Sequence, residues 1–296
     1  MGYDIYTGLL KAFPMAARAE RDIQFSYDNN HPKLDLLKST YHIEAIAGDG
    51  DDLSKSKNLL NWASGHIYHK GDYAEQVERD VLELLDYAFD KGSTHGINCV
   101  GLAEILSKCL LSVGLKAKTV FIMPCSPYDG DNHCVTQVYI TEMKKWVMFD
   151  PTINAYIKNE HGKYLSLLEI RDHLANQEPV FFNRDAKYNE EMWTDDSIRE
   201  NTEYFAKNLF YFRASEVSTF ELSSFNSFDA SENRIITLAP QGYDTKHVRL
   251  SNIEYRLKKF GDDSNMRFFM QKWLEGVKRE VCTYCSSDDF EKTDLF

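Results

Sequence analysis

The hydrophobic pattern of this chain changes period at Gly114, and that change limits the folds open to it. Before it, Cys99, Leu102, Leu106, Leu110 and Val113 recur at helical spacing, and Gly114 stands in a helix-stop position. After it, Lys118 to Met123 (KTVFIM) is rich in β-branched and aromatic residues and halts at Pro124. His133 to Thr141 (HCVTQVYIT) and Lys145 to Asp150 (KWVMFD) read as two strands joined by a short turn near residues 142–144. Asp150-Pro151 closes the pair, because proline has no N–H to offer a ladder. Helices followed by antiparallel strands predict an α+β class.

Two further helical stripes precede the switch. Leu59, Leu60, Ala63 and Ile67 follow the turn at Gly48 to Asp52, and Val77, Val81, Leu84, Leu85 and Ala88 follow a break at Gly71-Asp72. Beyond the strands, Ser166 and Glu169 form a capping box for a helix running to about Leu174. The polar stretch Asp185 to Asp196 reads as a loop leading to a helix near Ile198 to Phe212. Short strands are expected at Val217 to Leu222 and Arg234 to Leu238, and a helix from Ser264 to about Val277. The acidic segment Ser286 to Phe296 is expected to fray. The expected organisation is a helical N-terminal extension (1–52), a core (53–183) and a C-terminal α+β extension of unknown role (184–296).

Composition narrows the function classes. Thirty-four Lys and Arg against 46 Asp and Glu leave a net charge of −12, which repels phosphate backbones, so no nucleic-acid partner is expected. Asp4 and Lys11 interrupt what a secretory signal would need as its apolar core, and no apolar run approaches the roughly 18 residues of a membrane span. A cytoplasmic protein with no membrane partner is expected. In that setting Cys99, Cys109, Cys125, Cys134, Cys282 and Cys285 are read as free thiols. Cys282 and Cys285 form a lone CxxC. Zinc needs four ligands and no second pair follows, although His66 and His69 offer a distant complement, so neither metal nor cofactor is expected.

Three residues carry candidate chemistry. Cys99 follows the loop Gly92 to Asn98 and opens a helix, where free backbone N–H groups and the positive end of the helix dipole favour thiolate. Taken alone, a cysteine there is more often structural than catalytic, and Cys109, mid-helix, reads as core. A thiol nucleophile needs an imidazole as its base and a third group to orient that imidazole. His133 starts one strand and Asp150 ends the next, so a hairpin brings them near one another, with the register deciding whether they share a face. On geometry alone, a capped strand-end histidine with a turn aspartate remains as good a reading as a catalytic pair.

The ordered pattern of Cys99; Gly101, Ala103 and Gly114-Leu115-Lys116-Ala117; His133; and Trp146 with Asp150-Pro151-Thr152 resembles the core of the transglutaminase-like superfamily of papain-type thiol enzymes. Leu59-Leu60-Asn61-Trp62 and His69-Lys70-Gly71-Asp72 resemble the helix preceding the cysteine in bacterial members. The likeness covers about residues 53 to 157, with His133 34 residues after Cys99 and Asp150 17 after His133. It departs two positions after the histidine, where an aromatic is common and Cys134-Val135 stand here. It implies a papain-like core with the cysteine helix packed on an antiparallel sheet carrying the histidine and aspartate.

The resemblance further implies Cys99, His133 and Asp150 as a catalytic triad, acting on a protein or peptide substrate without cofactor or metal. The GDGDD turn lacks the spacing and terminal glutamate of a calcium loop. The Cys99 backbone N–H would give one oxyanion donor and an upstream side chain the second, with Gln76, Trp62 and His95 as candidates. Trp62 also reads as core; His66 and His69 read as helix-end residues. Tyr128 and Asp129 are either cleft-lining or ordinary turn residues. The expected activity is acyl transfer at amide bonds through a Cys99 acyl-enzyme, with hydrolysis (peptidase or amidase) favoured over amine transfer (transglutaminase). The alternative is a catalytically silent binding or scaffold protein on the same fold.

Overall fold

The computed structural model describes residues 2–16, 23–71, 80–221, 235–259 and 264–292. Its centre is an eight-stranded sheet in the order Thr283–Tyr284, Ile235–Leu238, Tyr211–Ser215, Ala117–Met123, His133–Ile140, Lys145–Asp150, Ala155–Lys158, Phe181–Phe182. Neighbours pair antiparallel throughout, except that Thr283–Tyr284 runs parallel to Ile235–Leu238. The fold is therefore α+β, with strands from the C-terminal extension sharing the sheet of the central hairpin.

Antiparallel sheets often leave one face to water, and their strands then alternate apolar with polar. Here the His133 strand is buried at almost every position, because helices cover both faces. Cys134, Val138, Ile140, Val147 and Phe149 point to one layer, shared with Leu59, Leu60, Leu84, Leu85 and the Cys99–Ser112 helix. Val120, Ile122, Val135 and Met148 point to the other, shared with Leu10, Ile170 and Phe205 of helices Gly2–Ala12, Leu167–Ala175 and Asp195–Asn208. The Cys99 helix is buried from Val100 to Ser112, so even its Glu104–Lys108 pair (2.8 Å) lies inside. Two further helices, Thr245–Lys259 and Ser264–Arg279, pack on one another through Ile253, Met270 and Val277. They are tied to the sheet by Glu280, which accepts from both Arg213 (2.8 Å) and Arg249 (2.7 Å) in a buried cluster.

The C-terminal region departs most from the sequence expectations. The helix expected over 198–212 spans Asp195–Asn208, and Tyr211 begins a strand. The run Leu209 to Phe212 is apolar without period; Leu209 and Phe210 form a turn, Tyr211 pairs with Met123, and Phe212 has partners on both sides, Ile122 and Leu238. Within the expected loop 185–196, Lys187–Tyr188 and Glu191–Met192 form a hairpin whose turn includes Asn189 at φ 54°. Among the described residues of the expected 217–222 strand, Val217–Ser218 pairs, in parallel with Ser26–Tyr27, and Leu222 lies outside the described residues. Thr245–Lys259 is a helix beyond those the sequence pattern predicts. Within the segment expected to fray, residues 293–296 lie outside the described residues, and Ser287–Phe290 instead forms a capped turn of helix with Phe290 buried. It is held there by the buried Lys118, which donates to Phe290 O and lies over the rings of Phe25, Trp146 and Phe290. Val77 of the second stripe and Arg234 lie outside the described residues.

Candidate active site

Cys99 is the first residue of its helix, and Asn98 caps that helix by accepting the Gly101 N–H at 2.9 Å. The Asn98 side chain thus satisfies a later donor, while the Cys99 N–H belongs to the first turn, whose N–H groups have no intrahelical acceptor. The thiol is half-buried.

Register settles how His133 meets Asp150. Thr136 faces Phe149 and Gln137 faces Met148, so Val135 falls opposite Asp150. His133, two residues further on, shares that face as the diagonal neighbour. His133 Nε2 and Asp150 Oδ2 lie 2.6 Å apart, with Asp150 fully buried and its second oxygen accepting the Thr152 N–H at 2.9 Å. His133 opens its strand beside Cys99, and the two side chains share a hydrogen bond. Burial works against the His133 cation, but the Asp150 charge and hydrogen bond, joined by those of Cys99, hold its pKa well above the ordinary imidazole value.

The Cys99 pKa lies well below that of a free thiol. The hydrogen bond from Cys134 contributes most, burial opposes it, and hydrogen bonds from His133 and His69 and the charge of His133 add to the lowering. Cys134 sits on the face of its strand that packs against the Cys99–Ser112 helix, and its own pKa is pushed well up by burial and by the adjoining Cys99 sulfur, so it stays a thiol and donates. Cys109 lies in the core, where burial raises its pKa.

His69 is placed by backbone pairing. The Ile97 N–H donates to Tyr68 O (2.8 Å) and the Lys70 N–H to Ile97 O (3.0 Å), which sets residue 69 beside the loop that delivers Cys99. Gly96 permits this approach, since a Cβ there would lie 2.6 Å from Lys70 N and Tyr68 O. On its other side His69 is gripped by the 187–192 hairpin. Its N–H donates to Asn189 Oδ1 (2.7 Å), Asn189 Nδ2 donates to its carbonyl (3.2 Å), and Nδ1 meets the Tyr188 hydroxyl at 2.9 Å. His69 therefore does not end a helix as expected. His66 does, with Nδ1 at 2.9 Å from Trp62 O.

The remaining sequence candidates are dispersed. Trp62 packs among Tyr41, Phe89 and His66 against the helical layer. His95 is exposed, edge-on to Tyr87 and bonded to Thr94 Oγ1. Gln76 lies outside the described residues. Tyr128 is largely exposed against Tyr255, and Asp129 pairs with Lys207 at 3.1 Å. Cys285 is core, while Cys282 is half-buried, 3.8 Å from Glu280. The sequence reading missed Cys134, Tyr188, Asn189 and Tyr204 around the site. Tyr204 and Phe205 stack edge-on to His133 with centroids 5.6 and 6.2 Å away, so aromatic cover absent from the residues after His133 arrives from the helix Asp195–Asn208. No local signal marks these residues, because each reaches the site through tertiary packing.

Residues 40–151, less than half of the chain, match the family model of the transglutaminase-like superfamily. No curated protein and no solved structure matches the chain. Among the described residues, no helix is long and apolar enough to cross a membrane.

Proposed function

We propose that the transglutaminase-like domain makes this chain a thiol acyl-transfer enzyme that cleaves amide bonds by hydrolysis. The observation that carries the reading is the linked chain of a helix-opening Cys99, a His133 that bonds to it, and a buried Asp150 at 2.6 Å from His133. The resting pair is Cys99 thiolate with His133 imidazolium, the charge on each supporting the other and Asp150 supporting the cation.

The thiolate attacks the substrate carbonyl carbon. A C–S bond forms, the π pair moves to oxygen, and the Cys99 N–H donates to that oxygen. As the tetrahedral adduct collapses, the C–N bond breaks and His133 gives its Nδ1 proton to the departing amine. His133, now neutral, takes a proton from water as it attacks the thioester, and the acid leaves with the thiolate restored. Asp150 keeps the imidazole oriented and stays ionised throughout. Hydrolysis is favoured because water is the only second substrate it needs.

A test is to screen peptide amides and glutamine donors with the wild-type chain and Cys99→Ala, following both acid release and incorporation of a primary amine by mass spectrometry. Acid release that depends on Cys99 is expected. Incorporation outpacing acid release would replace hydrolysis with amine transfer. No thioester and no turnover with a reactive Cys99 would refute the enzymatic reading.

A further inference from the structure

The site holds one more imidazole than the triad uses. We propose that His69 is a catalytic residue, the second oxyanion donor, whose Nε2–H is fixed toward the reacting centre by the Tyr188 hydroxyl. This rests on the acyl-transfer reading above and deepens it.

The Tyr188 hydroxyl sits 2.9 Å from His69 Nδ1, and burial holds Tyr188 above the usual phenol pKa, so its O–H proton is there to donate. An O–H donated to Nδ1 makes that nitrogen the acceptor and places the ring proton on Nε2. The Cys99 sulfur is the second hydrogen-bond neighbour of this ring, and with Nδ1 accepting, Nε2–H is the group left to donate to a thiolate there. The tautomer is thus consistent at both ends: tyrosine donates, histidine relays, sulfur accepts. Backbone bonds to Ile97 and Asn189 on opposite sides of residue 69 hold the ring without a hinge between it and the Cys99 loop.

His133 and His69 then divide the work by protonation. His133, backed by the Asp150 carboxylate, carries a mobile proton. His69 is backed by a neutral hydroxyl and acts as a hydrogen-bond donor. In the resting site its Nε2–H bonds to the thiolate. When the C–S bond forms, negative charge leaves sulfur for the carbonyl oxygen, and the same N–H, beside the Cys99 N–H, meets it there. No proton is transferred from His69 at any step, and none is needed for balance. Aligned donors of this kind contribute on the order of 10²–10³ in rate.

The test separates stabilisation of an oxyanion from support of the thiolate. p-Nitrophenyl acetate reports acylation through the nitrophenolate burst, with Cys99→Ala as background. Iodoacetamide reports thiolate alkylation, a displacement at carbon that forms no oxyanion. Measured at pH 9.5, above the ordinary thiol pKa of about 8.5, His69→Phe is expected to alkylate within about threefold of wild type but to acylate about 100-fold more slowly. His69→Gln, which returns an N–H, is expected to recover much of the loss. Tyr188→Phe, a change at a half-exposed hairpin residue, is expected to cost about tenfold in acylation alone.

Acylation and alkylation falling together in His69→Phe, or acylation at the wild-type rate, would overturn the assignment while leaving the triad in place. If His69→Phe does not fold, an unaltered burst in Tyr188→Phe overturns it. A wild-type chain that alkylates at Cys99 but gives no Cys99-dependent burst removes the acyl-transfer reading, and this proposal with it.

Discussion

Replacing Asp150 with Asn tests the electrostatics of the site more sharply than deleting Cys99, because shape and volume are conserved. In the native site one Asp150 oxygen accepts the Thr152 N–H at 2.9 Å, and the other faces His133 Nε2 at 2.6 Å. Asparagine has a single oxygen. Held by the Thr152 N–H, it leaves its NH₂ facing Nε2, and Nε2 must then accept. The ring proton moves to Nδ1, where the neutral imidazole no longer takes a proton from Cys99. Two consequences follow. Loss of a buried charge-assisted bond costs the imidazolium about 1.5–3 kcal/mol, which at 1.36 kcal/mol per pKa unit lowers the His133 pKa by about 1–2 units. The proposed thiolate–imidazolium pair would then give way to neutral thiol and imidazole, so iodoacetamide alkylation of Cys99 at pH 6 is expected to slow about 10- to 100-fold, and its pH midpoint to rise. Acylation by an ester suffers more, by about 10³–10⁴, because the base is lost as well as the charge. The assay is site-resolved mass spectrometry of alkylation against pH, paired with the nitrophenolate burst. An Asp150→Asn chain with the wild-type alkylation profile would refute both the ion pair and the tautomer argument.

Cys134→Ala removes the thiol that contributes most to lowering the Cys99 pKa, so the Cys99 alkylation midpoint is expected to move up in pH, with Cys134→Ser, which keeps a donor, nearer wild type; equal midpoints in all three would contradict the reading. Buried Lys118 has its pKa lowered by burial to about 8. Between about 8 and its unfolded value near 10.4 the unfolded chain binds the extra proton, so folding stability rises with pH across that window, by about 3 kcal/mol in total for this group. Lys118→Met is expected to abolish that increment in urea unfolding curves and to match or exceed wild-type stability at pH 7; a preserved rise would assign it to other groups.

The candidate site was legible in part. Cys99 could be chosen because a glycine-rich loop before a helical stripe marks a helix N-terminus, and His133 and Asp150 because each stands at the end of a strand. Their strand limits, His133–Ile140 and Lys145–Asp150, lie within a residue of those expected. The face they share was not legible. It follows from the pairing of Gln137 with Met148, and a slip of one residue would have sent the two side chains to opposite faces. His69 was misjudged because its local surroundings do resemble a helix end, and nothing within a few residues records that Ile97 and Asn189 will grip it. The C-terminal elements were read poorly where apolar runs carry no period, as in Leu209 to Phe212.

By itself the sequence determined the α+β class and the order of helix, hairpin and Asp-Pro turn, since periodicity, glycine stops and proline breaks act over a few residues. It also determined which side chains had the chemistry to form a thiolate, an imidazolium and a carboxylate. Only the tertiary structure decided that helices cover both faces of the sheet, that Glu104 and Lys108 lie inside it, and that the C-terminal extension supplies Tyr188, Asn189 and Tyr204 around the thiol. Those outcomes depend on which surfaces meet across separations of roughly 70 to 120 residues. Burial and low dielectric then set protonation, and neither exists until the layers have packed.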